Sequence, residues 1–107
     1  MERQLLDADA LDEAAATLDR AWRINPDLLA RSIEFPTFLR AVEFIDRLAP
    51  VAERLNHHPD LSLSWRRLEL RLSTHDRGGV TAFDVELAHA LDPIITELGG
   101  VLPANAQ

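Results

Sequence analysis

A chain of 107 residues with 47% hydrophobic and 27% charged side chains matches an ordinary globular domain able to bury roughly two-thirds of its unfolded surface, which disfavours disordered, collagenous and coiled-coil classes. Eighteen acids against eleven bases leave a formal charge of -7, so a phosphate backbone is repelled and direct nucleic-acid binding is not expected. The absence of cysteine excludes thiolate catalysis and cysteine-ligated metals, and with no apolar run near the roughly 20 residues of a membrane span the chain reads as cytoplasmic, with no membrane partner.

The first predicted element is a helix over residues 9–19. It is rich in alanine, places Leu11, Ala14, Ala15 and Leu18 on one stripe and carries acids in its first turn, where the helix dipole favours them. A short piece from Trp22 to Ile24 ends at Asn25-Pro26-Asp27, a turn sequence. From Leu29 to Phe35, the residues Leu29, Arg31, Ile33 and Phe35 alternate with Ala30, Ser32 and Glu34, a period of two that predicts a strand. The main helix follows, with Phe38, Val42, Ile45, Ala49 and Ala52, joined by Ala41, Leu48 and Leu55, as a broad apolar stripe. Pro50 lies inside it and is expected to bend it. Pro59 keeps the helix from continuing through His58.

Leu61, Leu63 and Trp65, then Leu68, Leu70 and Leu72, alternate with polar residues and predict a second antiparallel hairpin with one buried face. Asp76-Arg77-Gly78-Gly79 reads as a loop, and Thr81 with Asp84 as a capping box with Asp in place of Glu. The last helix has a stripe of Leu87, Leu91, Ile94 and Leu98, interrupted at Pro93 and closed by Gly99-Gly100. The order α-β-β-α-β-β-α implies an α+β fold, a four-stranded antiparallel sheet with three helices packed on one face. Residues 1–107 are expected to form a single domain with its core over about 11–98 and terminal tails at 1–8 and 101–107.

Without thiols, the chemistry rests on histidine and carboxylate. Glu53 and His57 are four apart, a helical spacing at which a carboxylate can hold an imidazole in one tautomer, and His58 follows directly. A helix stop with polar side chains explains the same residues without chemistry. If the strand ending at Ser73-Thr74-His75 meets that helix end, His75 joins His57 and His58 in one cleft suited to both giving and taking protons. Three imidazoles are also a possible zinc or iron ligand set, although adjacent residues rarely both reach one ion. His89 lies off the apolar stripe and reads as a solvated surface residue. Trp22 and Trp65 read first as packing residues, with stacking on a planar heterocycle as the alternative. Arg31, Arg66, Arg67 and Arg71 form a basic streak that is left outside the site.

The ordered set Glu53, His57-His58-Pro59-Asp60, Trp65, Leu72-Ser73-Thr74-His75, Gly79-Val80-Thr81 and Asp84 resembles the pterin-4a-carbinolamine dehydratase family. The resemblance extends through Phe35, Phe38, Ala41, Phe44, Ala49 and Ala52 back to Trp22 and covers roughly residues 11–98. It implies a hydro-lyase that converts 4a-hydroxytetrahydropterin to quinonoid dihydropterin and water, in tetrahydrobiopterin-type recycling alongside an aromatic amino acid hydroxylase, with no metal or organic cofactor. It also implies His57 and His75 as the proton-transfer groups, His58 as a catalytic residue that binds and orients the pterin, Glu53 as their support, and Trp65 and Thr74 as further substrate contacts. A homodimer or homotetramer is implied as well. The alternative is a catalytically weak dehydratase-like module that serves as a dimerisation cofactor for another protein. Leu61 stands where the family usually has Trp, and Pro50 interrupts a helix expected to be continuous in relatives; both bear on the shape of the cleft.

Overall fold

Residues 3–104 are described by the structure, a computed structural model. Within them the elements run α1 (Ala8–Thr17), β1 (Arg23–Ile24), β2 (Leu29–Glu34), α2 (Phe38–Leu55), β3 (Asp60–Ser64), β4 (Arg67–Leu72) and α3 (Ala82–Glu97). All strand pairs are antiparallel, in the spatial order β1-β2-β4-β3. This is the expected α+β architecture, with β4 beside β2.

The register sorts the side chains. Leu29, Arg31 and Ile33 stand opposite Leu72, Leu70 and Leu68, while Leu61 and Leu63 stand opposite Leu70 and Leu68. Directly opposed residues share a face, so these positions form the side that meets the helices, together with Phe35, Phe44, Leu87, Leu91 and Ile95. The reverse face carries Ser32, Glu34, Arg67, Glu69 and Arg71, with the Ser32 hydroxyl donating to Glu69 at 2.5 Å. Arg31 is the charged exception on the core face. It is buried and bonds Asp92 of α3 at 2.8 Å, and the Trp22 indole N–H donates to the same carboxylate at 2.7 Å. Trp22 is thus a packing residue with a satisfied polar tip.

Three sequence expectations shift. Ala15 of α1 is exposed, and only Leu11, Ala14 and Leu18 of its stripe are buried. The buried row of α2 is Ala41, Phe44, Leu48, Val51 and Ala52. Phe38 and Ala49 are exposed and Val42 and Ile45 half-buried, because the apolar arc of this helix is wider than its contact with the sheet. The buried row of α3 ends in Ile95, with Ile94 half-buried. Neither Pro50 nor Pro93 stops its helix. Both are exposed, so the ring clash falls on the solvent side and water can satisfy the freed carbonyls.

Parts of both expected tails are tied into the fold. The Leu6 N–H donates to the Val80 carbonyl at 2.9 Å, Leu5 bridges Thr81, and Val101 exchanges two backbone bonds with Glu34. Residues 105–107 of the expected C-terminal tail, and 1–2 of the N-terminal one, lie outside the described residues. No helix among the described residues is long and apolar enough to cross a membrane.

Candidate active site

The site begins where α2 ends. Asn56 adopts the left-handed conformation (φ 49, ψ 45) and its N–H bonds back to the Ala52 and Glu53 carbonyls, while the His57 N–H reaches Ala52 at 3.0 Å. Asn tolerates this conformation better than most residues and closes the helix as Gly often does. The reversal sends His57 inward, 5% exposed, and leaves His58 at the surface.

That geometry corrects the expected Glu53–His57 pair. The helix has ended by His57, so the four-residue helical spacing no longer places the two side by side. Glu53 instead bonds His58 Nε2, both being exposed. The partner of His57 is Asp84 in the first turn of α3, with Nε2 and Oδ1 2.5 Å apart. Asp84 is wholly buried. Its Oδ2 accepts the Thr81 backbone N–H at 2.8 Å, completing the predicted capping box, and the Thr74 hydroxyl at 2.9 Å. One carboxylate therefore starts a helix and anchors an imidazole. With Asp84 accepting, His57 Nε2 donates, and Nδ1 has no partner among the described residues.

The loop after β4 supplies the third imidazole. The Thr74 backbone N–H donates to the Gly79 carbonyl at 2.8 Å, and the Thr74 carbonyl accepts the N–H groups of Arg77 and Gly78. Gly79 presses against the first hairpin, where a Cβ would lie 2.6 Å from the Pro26 carbonyl oxygen. On this braced loop His75 points outward and bonds Asp60 at the start of β3 through Nε2 at 3.1 Å. His57, His58 and His75 line one open cleft of about 360 Å³, with Arg3, Asn56, Pro59, Asp60, Ser73 and Asp76 completing its wall. Arg3 also lies over the Phe83 ring, 4.7 Å from its centroid.

Each imidazole thus has its own carboxylate. The three Nε2 atoms turn toward Asp84, Glu53 and Asp60, and among the described residues no three His, Asp or Glu side chains converge as a metal-ligand group.

Other expected residues fall elsewhere. Thr74, expected to touch substrate, has no exposed surface; its hydroxyl lies behind His57 on Asp84. Trp65 is neither packed in the core nor part of the cleft wall: it sits in the turn between β3 and β4, 69% exposed, with the Arg66 guanidinium 4.6 Å from its ring centroid. His89 is exposed and bonds the Thr17 hydroxyl at 3.1 Å. Sequence reasoning missed Asp60 and the His57 side of Asp84. The signal was present in both cases, in Asp60 following Pro59 and in Asp84 at the third position of a capping box, but local spacing does not show which carboxylate a folded chain brings to which ring.

Comparison with known proteins bears on the same segments. Residues 4–94 match the sequence model of the family described as pterin 4 alpha carbinolamine dehydratase. A relative from Natronomonas pharaonis, named provisionally as a pterin-4-alpha-carbinolamine dehydratase, is 40% identical over 83 residues, 78% of this chain and 90% of that one. A relative of the same name from Mycobacterium tuberculosis is 39% identical over 88 residues, 82% of this chain and 93% of that one. The crystal structure of a transcriptional coactivator/pterin dehydratase from Brucella melitensis has a TM-score of 0.80 at 31% identity, covering 85% of this chain and 98% of that chain. The agreement runs through sequence and fold alike over most of each molecule, and on that coverage the chain belongs to the pterin 4 alpha carbinolamine dehydratase family.

Proposed function

We propose that this chain is a cytosolic hydro-lyase that converts 4a-hydroxytetrahydropterin to quinonoid dihydropterin and water, in recycling of the reduced pterin used by an aromatic amino acid hydroxylase. The observation that carries this reading is the convergence of His57, His58 and His75 on one cleft, each ring held by a separate carboxylate. His57 Nδ1 accepts the N5 proton, and Asp84 stabilises the imidazolium that forms. His75 gives a proton to the 4a hydroxyl. The C4a–O bond then breaks, the N5–C4a double bond forms, and water leaves. One proton is taken and one given, so proton exchange with solvent resets the pair. His58 orients the pterin and Glu53 supports His58. The step needs proton transfer alone, and neither metal nor organic cofactor is part of the proposal.

The test is dehydration of chemically generated 4a-hydroxytetrahydropterin, followed by absorbance against the spontaneous rate. Acceleration that scales with protein concentration is expected. A rate equal to the spontaneous one would leave the dimerisation-cofactor module as the better reading. That second reading is favoured by the exposed Phe38 and Leu39 at the start of α2 and by the coactivator name of the Brucella relative. Assembly into a homodimer or homotetramer belongs to the same proposal, because β3 is an edge strand and open edges invite pairing. Light scattering that gives the 12.0 kDa monomer mass at micromolar concentration would overturn assembly.

A further inference from the structure

We propose that Thr74 and Thr81 are positioning residues, which aim Asp84 and through it His57 by a chain of hydrogen bonds that all point one way. The chemical consequence of this inference rests on the dehydratase reading above; the geometry does not.

Thr74, Thr81 and Asp84 have no exposed surface. A carboxylate offers acceptors only, so the Thr74 hydroxyl, 2.9 Å from Asp84 Oδ2, must donate to it. Its oxygen is then free to accept from the Thr81 hydroxyl at 2.7 Å. The Thr81 oxygen accepts in turn from the Phe83 backbone N–H at 3.3 Å. Each link polarises the next, and the dipoles add toward Asp84. Oδ2 is fixed by the Thr74 hydroxyl and the Thr81 N–H, which leaves Oδ1 for His57 Nε2. The carboxylate plane, and with it the tautomer and tilt of the imidazole, follows from two hydroxyls that do not border the cleft.

The placement in the chain adds a second consequence. Thr74 and His75 are neighbours whose side chains take opposite sides, one inward on Asp84 and one outward on Asp60. The backbone bond from Thr74 to Gly79, with those from Arg77 and Gly78 to the Thr74 carbonyl, therefore braces both proton-transfer rings from one loop. An apolar side chain of threonine's shape at position 74 would keep the packing, remove a donor from Asp84 and strand the Thr81 hydroxyl.

Thr74→Val and Thr81→Val, with Thr74→Ser as the conservative control, separate aiming from packing. Thr74→Val is expected to lower kcat about tenfold with KM within twofold of wild type. Nitrogen-15 spectra of the His57 ring should shift from one protonated Nε2 tautomer to a mixture. Thr81→Val should give a smaller change in the same direction, since Thr74 still donates, and Thr74→Ser should restore both readouts. Wild-type turnover with an unchanged His57 spectrum in Thr74→Val would overturn the inference, as would equal damage from Thr74→Ser. If Thr74→Val does not fold, the Thr81→Val and Thr74→Ser spectra decide, and an unchanged tautomer in Thr81→Val overturns it. If wild-type protein has no dehydratase activity yet the spectra move as expected, the positioning role stands and the proposed function fails.

Discussion

His57 and His75 border the same cleft and each is paired with an aspartate, yet they sit in opposite surroundings. His57 and Asp84 are 5% and 0% exposed as side chains; His75 and Asp60 are 65% and 57% exposed. A buried ionic hydrogen bond is costly to break, because the remaining partner is stranded away from water. An exposed one contributes little to stability and is screened by salt. Under the proposed function the inner pair would couple catalysis to folding, while the rim pair stands open to solvent. A dehydration needs both kinds of group, one fixed in direction and one quickly reset.

Alanine at each ring should expose that contrast most strongly. His57→Ala is expected to reduce turnover about 100-fold or more, the scale of a lost positioned base, and to lower unfolding free energy by about 3 kcal/mol, because Asp84 loses a buried partner. His75→Ala should reduce turnover at least about tenfold and leave stability within about 0.5 kcal/mol. Urea unfolding beside the kinetics separates the two effects. Equal stability losses for the two variants would break the distinction between inner and rim pairs.

The next effect concerns the turn that creates the inner position. Asn56 holds the left-handed conformation at the end of α2, which a β-branched residue adopts only at a cost of about 1–2 kcal/mol. Asn56→Val should show that loss in urea and a fall in turnover, as the chain no longer delivers His57 to Asp84. Asn56→Gly should keep both properties near wild type. If Asn56→Val keeps full activity, the cap does not set the direction of His57.

How far this arrangement could be read in advance follows from the range of the forces involved. Periods of two and of three to four depend on neighbours along the chain, so the order of elements, the two hairpins and the capping box of α3 were all legible. Which row of α2 is buried was not, since Phe38, Val42, Ile45 and Ala49 are as apolar as the row that meets the sheet, and only the docked geometry chooses. The histidines were legible as candidates because their spacing brackets a helix end and a strand end. Their partners were not: Glu53 was assigned by helical spacing, and the left-handed Asn56 cancels that spacing one residue before His57. The Asp84–His57 contact joins elements 27 residues apart, beyond the reach of any local pattern.

Within the rim a smaller difference is expected between binding and proton transfer. His58 and Glu53 are 56% and 75% exposed as side chains, so removal of either leaves no buried charge. His58→Ala should raise KM several-fold with a lesser fall in turnover, and Glu53→Ala should change KM by about twofold, because His58 keeps its place beside Pro59 without it. A larger effect from Glu53→Ala than from His58→Ala would mean that the carboxylate itself meets the pterin.

The smallest effect is expected at Trp65, and it tests whether one chain supplies the whole cleft. The residue follows β3 at the end away from Asp60, about 13 Å or more along the strand at roughly 3.3 Å per residue. Its ring is 69% exposed and stacked against its neighbour Arg66. The residue is not among those that line the cleft around His57 and His75. Trp65→Ala should therefore leave both kcat and KM within twofold of wild type, measured in the same dehydration assay. A tenfold rise in KM would show that the tip of this hairpin reaches a cleft after all, and since it does not line its own, a second copy of the chain would be the source of the ring. That outcome would move the comparison between inner and rim groups from one subunit to an assembled pair.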